Sequence, residues 1–232
     1  MFFGGNDKKK PSVTFLRGQY ASILGDAFSD VSRRQKCFFE ALSLWYLEKS
    51  EQALKKFERV EQWCSTNQEH FAVLFFKAKC YSDMKCVVAA ISEYKKALTF
   101  TPHSTAYSNL GLCYLNQGDF EQAIVNYQNA INADPQNPYP YNNLAQLYVQ
   151  RGEYEIALEC AEKAISLKYN IYQAWSAKAV CFAMMGNEEA FKKAYRQAVA
   201  FGSKGEKIRD FISSLKNDGW EDNEDFDEEE WE

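Results

Sequence analysis

The chain has almost no histidine, no paired-cysteine motif, no phosphate-binding glycine loop and no long apolar run. Each absence removes a class of function. Its 232 residues hold two imidazoles, His70 and His103. Neither stands beside a serine, cysteine or acid at a spacing that nucleophilic or acid–base catalysis uses. His103 follows Pro102 and reads as a solvated turn residue. The seven cysteines are odd in number, scattered and never spaced as CxxC. We expect them to be buried reduced thiols, with no metal site. No nucleotide signature is present, so we expect no cofactor and no enzymatic activity. No apolar stretch approaches the ~18 residues of a membrane helix. The short apolar start, Met1–Gly5, precedes its charges at Lys8–Lys10, which argues against a secretory leader and for a cytoplasmic protein with no membrane contact. Basic residues come in scattered pairs, such as Lys55–Lys56, Lys95–Lys96 and Lys192–Lys193, rather than as a stripe. That pattern argues against nucleic acid as a partner. Alternation with a period of two is also missing, so the elements should be helices.

What the chain does have is repetition. Tyr107, Tyr141 and Trp175 stand 34 residues apart. Leu110 and Leu144 keep the same interval, as do Gly118, Gly152 and Gly186, and Ala130, Ala164 and Ala198. A period of this length marks a solenoid, in which each unit buries its apolar face against its neighbours. In the clearest unit, Ser104–Asn137, the residues Tyr107, Leu110, Gly111 and Tyr114 fall at helical spacing. Gly118 and Phe120 follow, and Ala123, Tyr127, Ala130 and Ile131 form a second helical series closed by Pro135. The unit reads as two amphipathic helices around a tight turn, with glycine where a left-handed residue is cheap and proline where a helix must stop.

This series resembles the tetratricopeptide repeat family. The next unit carries Tyr141, Leu144, Ala145, Tyr148, Gly152, Tyr154, Ala157, Ala161 and Ala164, but closes on Tyr169 rather than proline, so its turn is less sharply specified. The last carries Trp175, Ala179, Phe182, Gly186, Tyr195 and Ala198, with Phe191 in a usually small position. Upstream, a weaker unit from about Phe71 has Lys85 in place of the turn glycine, and a degenerate one begins near Arg34. The resemblance implies an all-α fold: an α-solenoid of stacked antiparallel helix pairs, a right-handed superhelix of about five units plus capping helices. We expect a disordered start at 1–10 and an N-terminal capping helix region at 11–33. The solenoid then runs over 34–203, with units near 34–67, 71–103, 104–137, 138–171 and 172–203. A capping helix follows at 204–216, and an acidic-aromatic disordered tail at 217–232.

In that family the first helix of each unit lines a concave surface that binds peptides. Carried over, the groove residues here are Phe75, Phe76 and Lys79, then Ser108, Asn109, Leu112 and Asn116, then Tyr139, Asn142, Asn143, Gln146, Gln150 and Gln173. Asn109 and Asn143 match the asparagine with which the family often holds a peptide backbone. The Lys/Arg clamp that one family variant uses for a terminal carboxylate has no counterpart beside them. The tail is the other candidate. Ten of the 32 acidic residues lie in its last fifteen positions, so a chain of net −5 divides into a tail of −10 and a body of +5. Trp220, Phe226 and Trp231 interrupt those acids, and we expect them to form a docking motif. The expected function is an adaptor that binds a protein or peptide partner in the groove, its own acidic tail included. The alternatives are a structural subunit of a larger complex, or a regulatory accessory of an enzyme system with the tail as its switch.

Overall fold

The structure, a computed structural model, describes residues 11–27 and 33–216. The expected disordered ends, Met1–Lys10 and 217–232, lie outside the described residues, and so do Trp220, Phe226 and Trp231. Among the described residues all regular structure is helical, in thirteen segments. The chain forms two compact units, Met1–Pro135 and Gln136–Glu232.

In the first unit two short helices, α1 (Val13–Gln19) and α2 (Ala21–Leu24), precede three sequential antiparallel pairs. These are α3 (Arg33–Tyr46) with α4 (Ser50–Glu61), α5 (Asn67–Asp83) with α6 (Val87–Phe100), and α7 (Ser104–Asn116) with α8 (Phe120–Ala133). The second unit holds α9 (Pro138–Gln150) with α10 (Tyr154–Leu167), α11 (Tyr172–Met184) with α12 (Glu188–Ala200), and a last helix, α13 (Gly205–Lys216), against α11 and α12.

One backbone device turns every pair. The amide two residues past the first helix's cap donates back to a carbonyl five residues earlier: Lys49 to Leu44, Cys86 to Tyr81, Asp119 to Tyr114, Glu153 to Tyr148 and Asn187 to Phe182, at 2.9–3.0 Å. This closure needs a left-handed residue just before the donor. Gly118, Gly152 and Gly186 supply it, with φ of 80°, 75° and 73°. Glu48 and Lys85 adopt the same conformation, φ 62° and 63°, without glycine's freedom. The degenerate first pair therefore makes the same turn as the clear ones.

Helix starts follow from side-chain caps. Asp119 accepts from the Gln122 amide at 3.0 Å and opens α8, while Asn187 accepts from Ala190 at 3.1 Å and opens α12. Asn137 caps α9, with Pro138 as its first residue. Thr66 and Glu69 form a reciprocal capping box, so α5 begins at Asn67, four residues ahead of the Phe71 start expected from the repeat. His103 corrects another expectation. It is not a solvated turn residue but the cap of α7: its Nδ1 accepts from the Thr105 amide at 3.2 Å, and its Nε2 lies 2.9 Å from the Ser22 carbonyl. The turn that lacks proline is specified by other means. The Trp175 indole donates to the Tyr169 carbonyl at 2.7 Å, and the Tyr169 ring packs edge-on against Trp175 and Phe201.

The two units fill their interiors differently. The first is built on large rings: Phe38, Phe57 and Phe76 are fully buried in mutual contact, and Tyr94 and Tyr127 are buried under their helix pairs. The second has a centre of alanine, with Ala145, Ala157, Ala161, Ala179, Ala194 and Ala198 in one cluster, and larger side chains such as Tyr148, Trp175 and Phe182 pack around it, partly buried. Phe191, the large residue in a small position, is buried there and packs on Tyr195 at 5.6 Å.

Candidate functional site

The expected groove residues do not share one environment. On α5, Phe76 is fully buried and Phe75 is 4% exposed, so both are interior residues and not a lining. Their cover is the chain itself. Tyr20 packs edge-on against Trp45 and Phe76, and Phe15 against Tyr46. Arg17 stacks on Phe39 at 5.1 Å. The Ile23 carbonyl accepts from Gln68 at 2.7 Å. Helices α1 and α2 thus occupy the aromatic face of α3 and α5, and Leu16, Ile23 and Leu24 are buried beneath them. Lys79 remains half-buried, with its ammonium 5.6 Å from the Trp45 ring centroid.

On α7, Leu112 and Asn116 are exposed, Ser108 is buried and Asn109 is half-buried. Burial raises the Tyr94 hydroxyl pKa well above its ordinary value, and the nearby Asn109 side chain works against that rise. On α9, Tyr139, Gln146 and Gln150 are exposed, Asn143 is half-buried and Asn142 is 5% exposed. Ser108 and Asn142, 34 residues apart, each bury an oxygen that has no hydrogen-bond partner among the described residues.

The second unit brings part of the list together. Gln146, Gln150 and Gln173 rim a pocket of ≈ 330 Å³ whose floor is Val149, Ala177, Val180, Ile208 and Phe211. Tyr172, Ser176, Ser203 and Lys207 complete it. No side-chain hydrogen bond engages any of the three glutamines among the described residues. A glutamine amide offers both donor and acceptor, which suits the alternating N–H and C=O groups of an extended chain. The apolar floor suits one side chain of that chain. The contribution of α13 was not read from the sequence, where this helix served only as a cap. The signal was nevertheless present: Ile208 and Ile212 are buried, whereas Phe211, on the same apolar stripe, is 37% exposed at the pocket.

Buried ionisable groups serve structure in this fold. Lys77 is 8% exposed and lies between Glu61 at 2.7 Å and Glu93 at 3.0 Å, and Lys96 reaches Glu93 at 2.8 Å. Burial pushes the Lys77 ammonium down, but its bonds to Glu61 and Glu93 outweigh that and hold its pKa above the ordinary value. Burial pushes the Glu93 carboxyl up, and the bonds from Lys96 and Lys77 bring it below the ordinary value. Burial raises the thiols of Cys64, Cys80 and Cys181 to about 12, so they are protonated at neutral pH and poor nucleophiles. Among the described residues no group of three or more His, Cys, Asp or Glu is placed to hold a metal, and no helix is long and apolar enough to cross a membrane.

Fold and pocket together define an all-α helix-pair repeat protein. Two tetratricopeptide repeat family profiles match, one over residues 103–170 and one over 142–206, so the chain carries tetratricopeptide repeats across 103–206. Solved structures share the fold. MamA is 23% identical, with a TM-score of 0.62 over 72% of this chain and 96% of its own. PilF of Pseudomonas aeruginosa is 18% identical, with a TM-score of 0.67 over 80% and 85%. YrrB, a TPR protein with an unusual peptide-binding site, is 13% identical, with a TM-score of 0.58 over 85% and 97%. At these identities the likeness shows the fold alone. A sequence comparison with curated proteins finds no match. Proteins of this repeat class generally mediate protein–protein interactions, and no catalytic domain is among the matches.

Proposed function

We propose that this protein is an adaptor that holds an extended segment of a partner protein in the pocket between α9, α11 and α13. The observation that carries this reading is the pairing of three unengaged amides, Gln146, Gln150 and Gln173, with an apolar floor. The amides hold backbone, and the floor takes one apolar or aromatic side chain. The aromatic face of α3 and α5 is already covered by α1 and α2, which leaves the second unit as the better-built open site.

A photo-crosslinking side chain at Phe211 of the full chain, used in native lysate, tests the proposal. It should capture a defined segment of a partner, and Gln150→Ala with Gln173→Ala should lower that capture about thirtyfold, as expected for two hydrogen bonds of roughly 1 kcal/mol lost. A crosslinker at Val88, which is 73% exposed on α6, is the control. Equal capture from Val88, or capture indifferent to the glutamine substitutions, overturns the reading.

A further inference from the structure

We propose that in the free protein this pocket is occupied by the chain's own acidic tail, residues 217–232, bound in cis with Trp220 seated on the floor. The inference rests on the pocket being a peptide site, and it names the occupant. Four observations point the same way.

The first is position. The pocket residues Lys207, Ile208 and Phe211 belong to α13, and the tail starts where α13 ends. These residues stand about 8–14 Å along the helix axis from Lys216, at ~1.5 Å per residue. Trp220 lies four residues beyond Lys216, an extended reach of ~13 Å. Part of that reach is spent on the reversal, so a tail that folds back along α13 brings the Trp220 side chain towards Phe211, the pocket residue nearest the tail.

The second is charge. The tail carries ten acids and no base. The segment from Arg196 to Lys216 carries Arg196, Lys204, Lys207, Arg209 and Lys216 against Glu206 and Asp210. Lys207 lines the pocket, and neither Lys204 nor Lys207 has a carboxylate partner among the described residues. The third is shape: a floor of Val149, Val180, Ile208 and Phe211 ringed by amides accepts a flat apolar ring with a polar edge, as an indole is. The fourth is the rival cavity in the first unit, of ≈ 840 Å³, where Glu48, Glu51 and Asp83 outnumber Lys49 and Lys85, so it offers an acidic segment no excess of positive charge. A tail tethered this close acts at an effective concentration in the millimolar range, so a weak contact suffices to fill the site.

Methyl NMR on the full chain tests this, with Val149, Val180 and Ile208 as reporters and the Val88 methyls as control. Replacing Trp220, Phe226 and Trp231 by serine should move the pocket methyls away from ring-shifted positions and leave Val88 in place. Lys207→Glu should reduce the tail-bound fraction several-fold, and so should added salt. Pocket methyls that are identical in the two chains overturn the proposal. So do shifts that grow with protein concentration, which would place a second copy's tail in the pocket. Crosslinking at Phe211 separates the two readings. Unmoved methyls with partner capture intact remove the tail from the pocket and leave the adaptor reading standing. Methyls that move, with no partner captured even from the tail-substituted chain, support the tail and remove the adaptor reading.

Discussion

Gly111 of α7 lies directly beneath Tyr127 of α8: a Cβ on the glycine would stand 2.7 Å from the ring's Cε1 and 3.2 Å from the Ala123 carbonyl. The ring is fully buried, and the missing side chain is the space it occupies. One unit later the same two positions are Ala145 and Ala161, both buried, so a small pair replaces the glycine–ring pair. The repeat conserves the fit between the helices rather than either residue.

Gly111→Ala should destabilise the protein by about 1–2 kcal/mol, the overpacking penalty less the helix-propensity gain of alanine. Tyr127→Ala should cost about 3–5 kcal/mol through the cavity it leaves. The double variant copies the Ala145–Ala161 pair and should be no less stable than Tyr127→Ala alone, a coupling of at least ~1 kcal/mol. Urea midpoints of the four chains check this, and strict additivity would show that Gly111 and Tyr127 do not share one space.

Glu48 and Lys85 hold left-handed backbone without being glycine. Glu48→Gly and Lys85→Gly should each raise stability by roughly 0.5–1 kcal/mol, because the steric relief exceeds the added entropy of the unfolded chain. Gly152→Ala should lower it by about 1–2 kcal/mol in the opposite sense. Opposite signs in thermal melts at matched pH are the expected pattern, and losses at all three sites would refute the turn argument.

The Lys77–Glu93 pair makes stability pH-dependent at both extremes. The Glu93 pKa is lowered on folding, so its contribution is present above the unfolded value of 4.5 and is lost as pH falls through the folded one. The Lys77 pKa is raised, so its contribution is present below 10.5 and is lost as pH rises through the folded value. Glu93→Gln should lower stability at neutral pH by about 1.5–3 kcal/mol and flatten the acid limb below pH 4.5. An acid limb as steep as in the parent chain would assign acid sensitivity to other carboxylates.

His103 should be neutral in the folded protein, with the proton on Nε2, because Nδ1 accepts from the Thr105 amide and Nε2 faces the Ser22 carbonyl. Burial is the main cause that lowers its pKa below 6.5. Stability should therefore fall as pH drops from 6.5 towards the folded value and level off below it, and His103→Gln should remove that step. Nitrogen chemical shifts across a titration give tautomer and pKa together. A protonated ring at neutral pH would contradict both.

Much of the architecture was legible because a packing period leaves marks that side chains cannot hide. Gly118, Gly152 and Gly186 announce the turns, and the alanines 34 apart announce the close helix pairs. The first two pairs were fainter, because Glu48 and Lys85 occupy left-handed positions that sequence patterns assign to glycine. The site was less legible than the fold. Phe75 and Phe76 read as groove residues, yet Phe76 lies beneath Tyr20 and Phe75 is buried against Tyr94 of α6, and no local pattern states which distant segment will cover a face. Asn109 matched a binding asparagine and lies near the buried Tyr94 hydroxyl, and the same amide chemistry serves a peptide or a buried hydroxyl.

The sequence by itself determined the all-α class, the helix pairs and the repeat. All three depend on local spacing: 3.6 residues per helical turn, and one left-handed residue per pair. Only the tertiary structure decided which face stays open. Burial of Phe76 depends on Tyr20, 56 residues away, and the pocket on α9 and α11 depends on where α13 places Phe211. Contacts between segments so far apart are set by how whole helices pack, and that information is not held in any one stretch of chain.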